Sequence, residues 1–216
     1  AEPYYMLQIF GQFNHLSVAQ ALGVAEKIEA LHALTAGQVQ EEYFLRLNDD
    51  WSIEERCREA LDAWQLEGIG LDVTLGQLSG GQRTKVYLAG AQLHQHELVL
   101  LDEPSNHLDT EGRRLLYDFI RSYTGTLVVV SHDRALLNIM DKTCELSAAD
   151  IRVYGGNYDF YREQKTLEML ALRDDIREQE KAIRKAREKQ REAMERKQRS
   201  DSRGEKKHLK EGLPKV

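Results

Sequence analysis

The pattern of hydrophobic and polar positions along this chain predicts two buried strands near its middle. Residues 98–101 and 127–130 are continuous apolar runs of Leu and Val without polar alternation. Such runs are typical of strands in a parallel sheet that is covered on both faces. The first run leads directly into Asp102 and Glu103, and the second leads to His132. Ligands bind at the carboxyl ends of strands in open α/β sheets, so these three polar residues are candidate functional side chains.

Residues 14–77 carry apolar residues at spacings of three and four, which predicts a mostly helical segment. Three helices are expected in it, over residues 16–22, 27–34 and 53–64. Ser52 and Glu55 form a capping-box pattern at the start of the third helix. Both Trp51 and Trp64 are expected to belong to the hydrophobic core.

The chain after His132 predicts a short helix over residues 133–140 and a hairpin over residues 144–154. From residue 161 to about residue 199 there is neither Gly nor Pro, which predicts one helix of roughly 40 residues, about 60 Å long. The pattern is expected to break at Gly204 and at residues 212–214.

The long helix carries a seam of residues at alternating spacings of three and four, which becomes more polar along its length. The seam consists of Met169, Leu172, Ile176, Gln179, Ile183, Ala186, Gln190 and Ala193. A heptad seam of this kind favours pairing with a partner helix in a coiled coil. The alternative is a charged helix that is surrounded by solvent.

A second polar group follows Leu78 and consists of Ser79, Gly80, Gly81 and Gln82. Ser79 is a good helix N-cap, and the two glycines leave backbone N–H groups unobstructed at the start of the helix. The amide dipoles at such a terminus favour an anion.

At the end of the first strand, Asp102 is placed to hold Mg²⁺, through water, and Glu103 to polarise an attacking water.

Together these residues resemble the second half of an ATP-binding cassette (ABC) nucleotide-binding domain. The resemblance implies a signature motif at residues 78–82 and a Walker B strand that ends at Asp102. It further implies a catalytic base at Glu103, a D-loop around Asp109 and a switch histidine at His132. ATP and Mg²⁺ are the implied ligands.

The resemblance also assigns the Q-loop near the start of the chain. A strand-like run over residues 4–7 is followed by Gln8, whose amide is expected to contact the metal and the catalytic water, and Gln12 is the alternative. The phosphate-binding pattern G-x-x-x-x-G-K-[ST] that precedes the Q-loop in the family does not occur in this sequence. We therefore expect a fragment that begins after that segment and that is inactive as an ATPase by itself.

The expected fold is an α/β P-loop NTPase of the ABC type, truncated before the Q-loop and followed by a long coiled-coil linker. Residues 1–160 are expected to form the partial nucleotide-binding domain, with a helical subdomain at 14–77 and the signature, switch and hairpin segments at 78–160. Residues 161–216 are expected to form a charged interdomain linker.

The G-N-Y stretch at residues 156–158 narrows the resemblance to the ABC-F class, soluble proteins with two cassettes that act on the ribosome. The class implies a second ABC domain in the same chain and contacts of the linker with ribosome and tRNA. The ATPase subunit of an ABC transporter is the alternative, although it does not explain the long basic helix. A chromosome-maintenance ATPase is disfavoured because its coiled coil enters before the signature motif.

Charge is distributed unevenly along the chain, whose net charge is −6. Residues 162–216 hold 18 basic and 12 acidic residues, whereas residues 1–161 hold 12 basic and 24 acidic ones. The two parts are therefore expected to face different partners.

No apolar run approaches the about 18 residues of a transmembrane helix, and the lone Cys57 and Cys144 fit a reducing cytoplasm. His94 and His96 are expected to be surface residues and not metal ligands.

Overall fold

The computed structural model describes residues 3–6 and 11–211. The chain divides into two compact units, Ala1–Tyr158 and Asp159–Val216. Gln8 lies outside the described residues, and Gln12, the alternative Q-loop residue, is exposed in a 3₁₀ turn over Gly11–Phe13.

The first unit contains a parallel sheet of three strands in the order β1-β2-β3. These strands are β1 (Tyr4–Met6), β2 (Leu98–Asp102) and β3 (Thr126–Val130). A hairpin of β4 (Thr143–Leu146) and β5 (Ile151–Tyr154) follows, as the sequence predicts. The central strand β2 thus carries Asp102 at its carboxyl end, next to the end of β3.

The sheet is not covered on both faces within the part of the chain that the structure describes. In β2, Val99 and Leu101 are buried and the residues between them are half-buried. In β3 the alternation runs between half-buried and exposed residues, and Val130 is 59% exposed. The expectation of two fully buried strands was therefore wrong for β3, because one face of each strand packs on the core while the other faces outward.

Eight helices lie in the described ranges, together with 3₁₀ turns at Gly11–Phe13 and Leu75–Gln77. Their bounds are α1 Val18–Ala21, α2 Ala25–Thr35, α3 Glu41–Leu47, α4 Ile53–Ala63, α5 Gly80–His94, α6 Thr110–Ser122, α7 Arg134–Leu137 and α8 Tyr158–Glu211. No described helix combines the length and the hydropathy that crossing a bilayer requires.

Three details of the helical segment differ from the sequence predictions. Helix α3 was not predicted, since only Leu47 of its seven residues is buried and no apolar periodicity marks it. The side chain of Ser52 makes no capping hydrogen bond at the start of α4. Trp51 is 51% exposed and contacts Phe44 edge to face, so only Trp64 of the two tryptophans belongs to the core.

Helix α5 lies at the centre of the first unit, and eight of its fifteen residues are buried. It packs against α1, α4, α6 and β1. Tyr4 donates a hydrogen bond from its hydroxyl to the carbonyl of Tyr87 at 2.6 Å, and burial raises the pKa of Tyr4. The indole N–H of Trp64 donates to Oε1 of Gln92 at 2.8 Å. Strand β1 and helix α4 are thus both fixed to α5, whose N-cap and first residues, 79–82, belong to the predicted signature segment.

Helix α8 forms the second unit and spans 54 residues, about 80 Å at 1.5 Å per residue. It continues through Gly204, where the sequence predicted a break. One glycine costs a helix only about 1 kcal/mol, which the good helix formers on either side can offset. The apolar residues Leu172, Ile176 and Ile183 are about half exposed on it. The coiled-coil pairing of this helix stays a prediction.

We predict that replacing Leu101 with Ala lowers the free energy of unfolding by about 2–5 kcal/mol, since Leu101 is only 1% exposed in β2. Urea unfolding followed by circular dichroism measures the change. Leu146→Ala is the matched control, because Leu146 is 78% exposed in β4 and its truncation should cost less than about 0.5 kcal/mol. Equal losses in both variants would contradict the assigned core.

Candidate functional site

The first part of the site is the turn that follows β2. The backbone N–H of Glu103 donates to the carbonyl of Val130 at 2.8 Å, which continues the pairing of β2 with β3 by one residue. Glu103 itself has a positive φ of 49°. This left-handed conformation turns the chain sharply away from the sheet and is uncommon for a residue other than glycine. Asp102 lies just before it, paired with Val130 at the carboxyl edge.

Glu103 and His132 meet at this edge of the sheet. Nε2 of His132 lies 3.4 Å from Oε1 of Glu103, and the backbone N–H of His132 donates to Oε2 at 3.4 Å. The Glu103 side chain is only 9% exposed, whereas that of His132 is 99% exposed. The result is a largely buried carboxylate beside an exposed imidazole, a geometry suited to a base that acts on a water molecule.

The second part of the site is the N-terminus of α5. Ser79 caps the helix: its Oγ accepts from the N–H of Gln82 at 3.2 Å, and Oε1 of Gln82 accepts from the N–H of Ser79 at 2.9 Å. This reciprocal capping box occupies both side chains. The amides of Gly80 and Gly81 belong to the first turn, where backbone donors have no partner within the helix. They are the groups that could bind an anion here.

Glycine at position 81 is required by a close backbone approach. A Cβ atom there would lie 2.7 Å from the carbonyl oxygen of His107, and one at Gly80 would lie 3.2 Å from the His107 ring. Residues 79–82 line a cavity of about 390 Å³ together with Lys85, His107, Leu108 and Asp109. The signature segment therefore rests directly against the turn that begins at Glu103.

Asp109, the predicted D-loop residue, caps helix α6. Its Oδ1 accepts from the N–H of Gly112 at 2.7 Å, so its carboxylate already has a structural function.

The sequence analysis missed Lys85, a buried lysine on α5 whose ammonium group lies 3.4 Å from Oε1 of Gln65. Glu111 receives a hydrogen bond from Gln65, and hydrogen bonds from Arg114 hold the pKa of Glu111 below its ordinary value. The sequence does not predict that this lysine is buried, because its burial results from the packing of α5 against other elements.

The fit of Mg²⁺ to this site depends on Asp102. No group of three or more His, Cys, Asp or Glu side chains that could hold a metal occurs among the described residues. Mg²⁺ keeps most of its waters and takes one or two carboxylates together with substrate phosphates, so a single carboxylate at a sheet edge suits it. Asp102 therefore fits as a ligand, whereas Gln8, the second predicted ligand, cannot be placed.

His94 and His96 each contact another part of the first unit. Nε2 of His94 lies 2.7 Å from the carbonyl oxygen of Leu22, and His96 stacks on Tyr4. Burial and the neighbouring His94 lower the pKa of His96. Both histidines thus make contacts at or just after the C-terminal end of α5. His94 is exposed, as expected from the sequence, and His96 is half-buried.

The sequence model of one protein family matches residues 31–138, which are half of the chain. Its description is "AAA domain, putative AbiEii toxin, Type IV TA system". The chain belongs to this AAA domain family. The matched residues contain the signature segment, β2 with Asp102 and Glu103, and His132.

Curated relatives show homology to ABC-type ATP-binding proteins. The energy-dependent translational throttle protein EttA of Haemophilus influenzae is 33% identical over 181 residues, covering 80% of this chain and 31% of the relative. EttA of Mycobacterium tuberculosis is 39% identical over 137 residues, covering 63% and 24%. An uncharacterized ABC transporter ATP-binding protein of Bacillus subtilis, YkpA, is 29% identical, covering 81% and 39%. The chain thus spans between a quarter and two fifths of the length of these relatives.

A solved structure supports the cassette fold. The ATP-binding subunit of an ABC transporter matches with a TM-score of 0.54 at 20% identity, covering 76% of this chain and 62% of that one. At this identity the similarity shows the fold alone, an α/β ABC cassette.

We predict that Gly81→Ala displaces the signature segment, since the added Cβ would meet the His107 carbonyl at 2.7 Å. Relieving that clash should cost about 1–3 kcal/mol of unfolding free energy, as overpacking typically does. Gly155→Ala is the control, because nothing lies within 4 Å of a Cβ atom at Gly155. Amide hydrogen exchange in residues 79–83 should increase in the first variant only. An unchanged exchange pattern and unchanged stability would show that the contact is loose.

Proposed function

We propose that this chain is part of an ATP-binding and ATP-hydrolysing protein of the ABC-F class that acts on the ribosome in translation. The observation that carries the proposal is the largely buried carboxylate of Glu103 beside His132 at the carboxyl edge of a parallel sheet. A signature-type helix terminus lies against the same turn. Homology to EttA, a translational throttle protein by name, supports the class.

In the proposed mechanism Glu103 acts as the catalytic base. Its carboxylate polarises a water for attack on the terminal phosphate of ATP, and the exposed imidazole of His132 contacts that phosphate. Asp102 would hold Mg²⁺, and the amide of Gln8 is the second proposed contact to the metal and to the attacking water. When bound, Mg²⁺ neutralises charge on the phosphate oxygens.

The signature residues serve a different nucleotide in this proposal. The amides of Gly80 and Gly81, fixed by the capping box of Ser79 and Gln82, bind the phosphates of ATP held by a second ABC domain of the same protein. Asp109 orders the D-loop at that interface. Two cassettes would therefore enclose two ATP molecules, each site combining the motifs of both cassettes.

The linker carries the proposed contact with the ribosome and tRNA in the cytoplasm. Its outer part holds seven basic residues, Arg196, Lys197, Arg199, Arg203, Lys206, Lys207 and Lys210. The first 161 residues are net acidic and would be repelled by RNA phosphates, so a separate cationic segment is needed for approach. This segment belongs to the C-terminal part of the 54-residue α8.

A transporter ATPase subunit is the second candidate function. The cassette fold is shared with the transporter subunit described above, so the fold does not separate the two functions. The 54-residue α8 directly after the cassette is the feature that a transporter subunit leaves unexplained.

The first test of the proposal is Glu103→Gln in the full-length protein. Removing the base should slow ATP hydrolysis by about 10²–10⁴-fold while ATP still binds. Phosphate release and nucleotide binding are measured separately. Asp118→Asn is the control, an exposed carboxylate on α6 away from the sheet edge. Hydrolysis at the wild-type rate by Glu103→Gln would contradict the role of Glu103 as the base. Phosphate release by the 216-residue chain alone, if Glu103→Gln abolished it, would contradict the proposal that the ATP site needs a further segment.

The second test concerns the linker. Replacing Arg203, Lys206, Lys207 and Lys210 with Glu should weaken ribosome association and flatten its salt dependence, because each lost phosphate contact removes up to about 0.9 from the slope of log K against log salt. Sedimentation with ribosomes across salt concentrations measures both quantities. A variant with Arg162, Lys165, Arg173 and Arg177 replaced by Glu has the same charge change in the inner part of α8. If the two variants behave alike, the outer linker has no specific role.

A further inference from the structure

A second large cavity lies in the helical segment and shares no lining residue with the signature cavity. It has a volume of about 810 Å³ and is bounded by α1, α2, α4 and the loop at residues 66–72. Five aliphatic side chains line it, namely Ile28, Leu61, Leu66, Ile69 and Leu71. We name this cavity the acidic groove, because of the residues at its rim.

The rim carries five carboxylates, those of Glu29, Glu54, Asp62, Glu67 and Asp72, against one arginine, Arg58, and one histidine, His32. The histidine and the arginine both pair with the same carboxylate: Glu54 lies 3.2 Å from Nε2 of His32 and 3.6 Å from Arg58. Glu29 has only a long contact of 3.8 Å with Arg46.

The other three carboxylates, those of Asp62, Glu67 and Asp72, have no ion-pair partner among the described residues. Asp62 and Glu67 are exposed residues, the first at the end of α4 and the second in the loop that follows it. The groove therefore combines an apolar floor with uncompensated negative charge at its rim.

The charge of the surrounding surface indicates which class of ligand the groove can bind. Residues 14–77 contain 12 acidic and 4 basic residues, so this segment holds −8 of the −12 carried by residues 1–161. A surface of this sign repels nucleic acid phosphates. An apolar floor of several aliphatic side chains also excludes a small hydrophilic cation as the sole ligand, since such pockets bind an apolar group that a few polar contacts orient.

We infer that the acidic groove binds a cationic amphipathic helix of another protein, with aliphatic residues on the floor and Lys or Arg side chains against Asp62, Glu67 and Asp72. An amphipathic helix laid into an apolar groove is a common mode of peptide recognition. Charges at the rim speed the encounter and select the partner, and the aliphatic anchors supply most of the affinity. The inference goes beyond ATP hydrolysis and adds a protein partner to the first unit.

The test uses the 216-residue chain and a labelled helical peptide of about 14 residues with Leu on one face and Lys on the other. Fluorescence anisotropy should show binding that weakens with salt, and a peptide with Glu in place of Lys should not bind. The double variant Asp62→Lys, Glu67→Lys should bind at least about tenfold more weakly at about 0.05 M salt, where exposed charges are least screened.

The matched control is Glu55→Lys, Glu59→Lys, which makes the same charge change on α4 at residues that do not line the groove. It should bind the peptide nearly as well as the wild type. Thermal unfolding verifies that both variants fold, which their exposed positions favour.

Three results would overturn the inference. The first is equal binding of the Lys and Glu peptides. The second is an equal loss of affinity in the groove variant and in the control variant. The third is a dimer of the chain that only the groove variant dissociates, since the occupant would then be a second copy, for which the basic half of α8 is a candidate.

Discussion

The parallel pairing of β2 with β3 is the constraint on which the candidate site depends. The ladder does not stop at Asp102, because the N–H of Glu103 donates to the carbonyl of Val130. This one additional hydrogen bond places Glu103 beside Val130, the last residue of β3. His132 follows Val130 by two residues, so it lies at the same edge of the sheet. The contact between the two side chains is thus a consequence of strand register and not of a flexible loop.

The turn from Glu103 to Leu108 connects the two parts of the site. Both Glu103 and His107 adopt positive φ, at 49° and 62°, which costs each non-glycine residue about 1 kcal/mol or more. Hydrogen bonds within the turn and the buried Pro104 and Ser105 hold it in shape. One end of this turn carries the proposed base, and the other end contacts the glycines at the start of α5. The two parts of the site are therefore connected by six consecutive residues, 103–108.

The sequence predicted the elements whose signals are local. The apolar runs located β2 and β3, and Ser79 with Gln82 located the start of α5. Tertiary packing decided what the sequence could not: the exposed face of β3, the exposure of Trp51 and the continuation of α8 through Gly204. Lys85 and His107 acquire their importance only from the close approach of α5 to the turn after Glu103, which no spacing in the sequence encodes.

The central claim, that Glu103 and His132 act on one reacting water and phosphate, is tested most directly by a double-mutant cycle. Single-turnover ATP hydrolysis would be measured for Glu103→Gln, His132→Ala and the double variant in the full-length protein. Residues that act as a unit are non-additive, so the double variant should be hardly slower than the Glu103→Gln variant. Rate losses that multiply fully would contradict the account, because they would mean that the two side chains contribute independently.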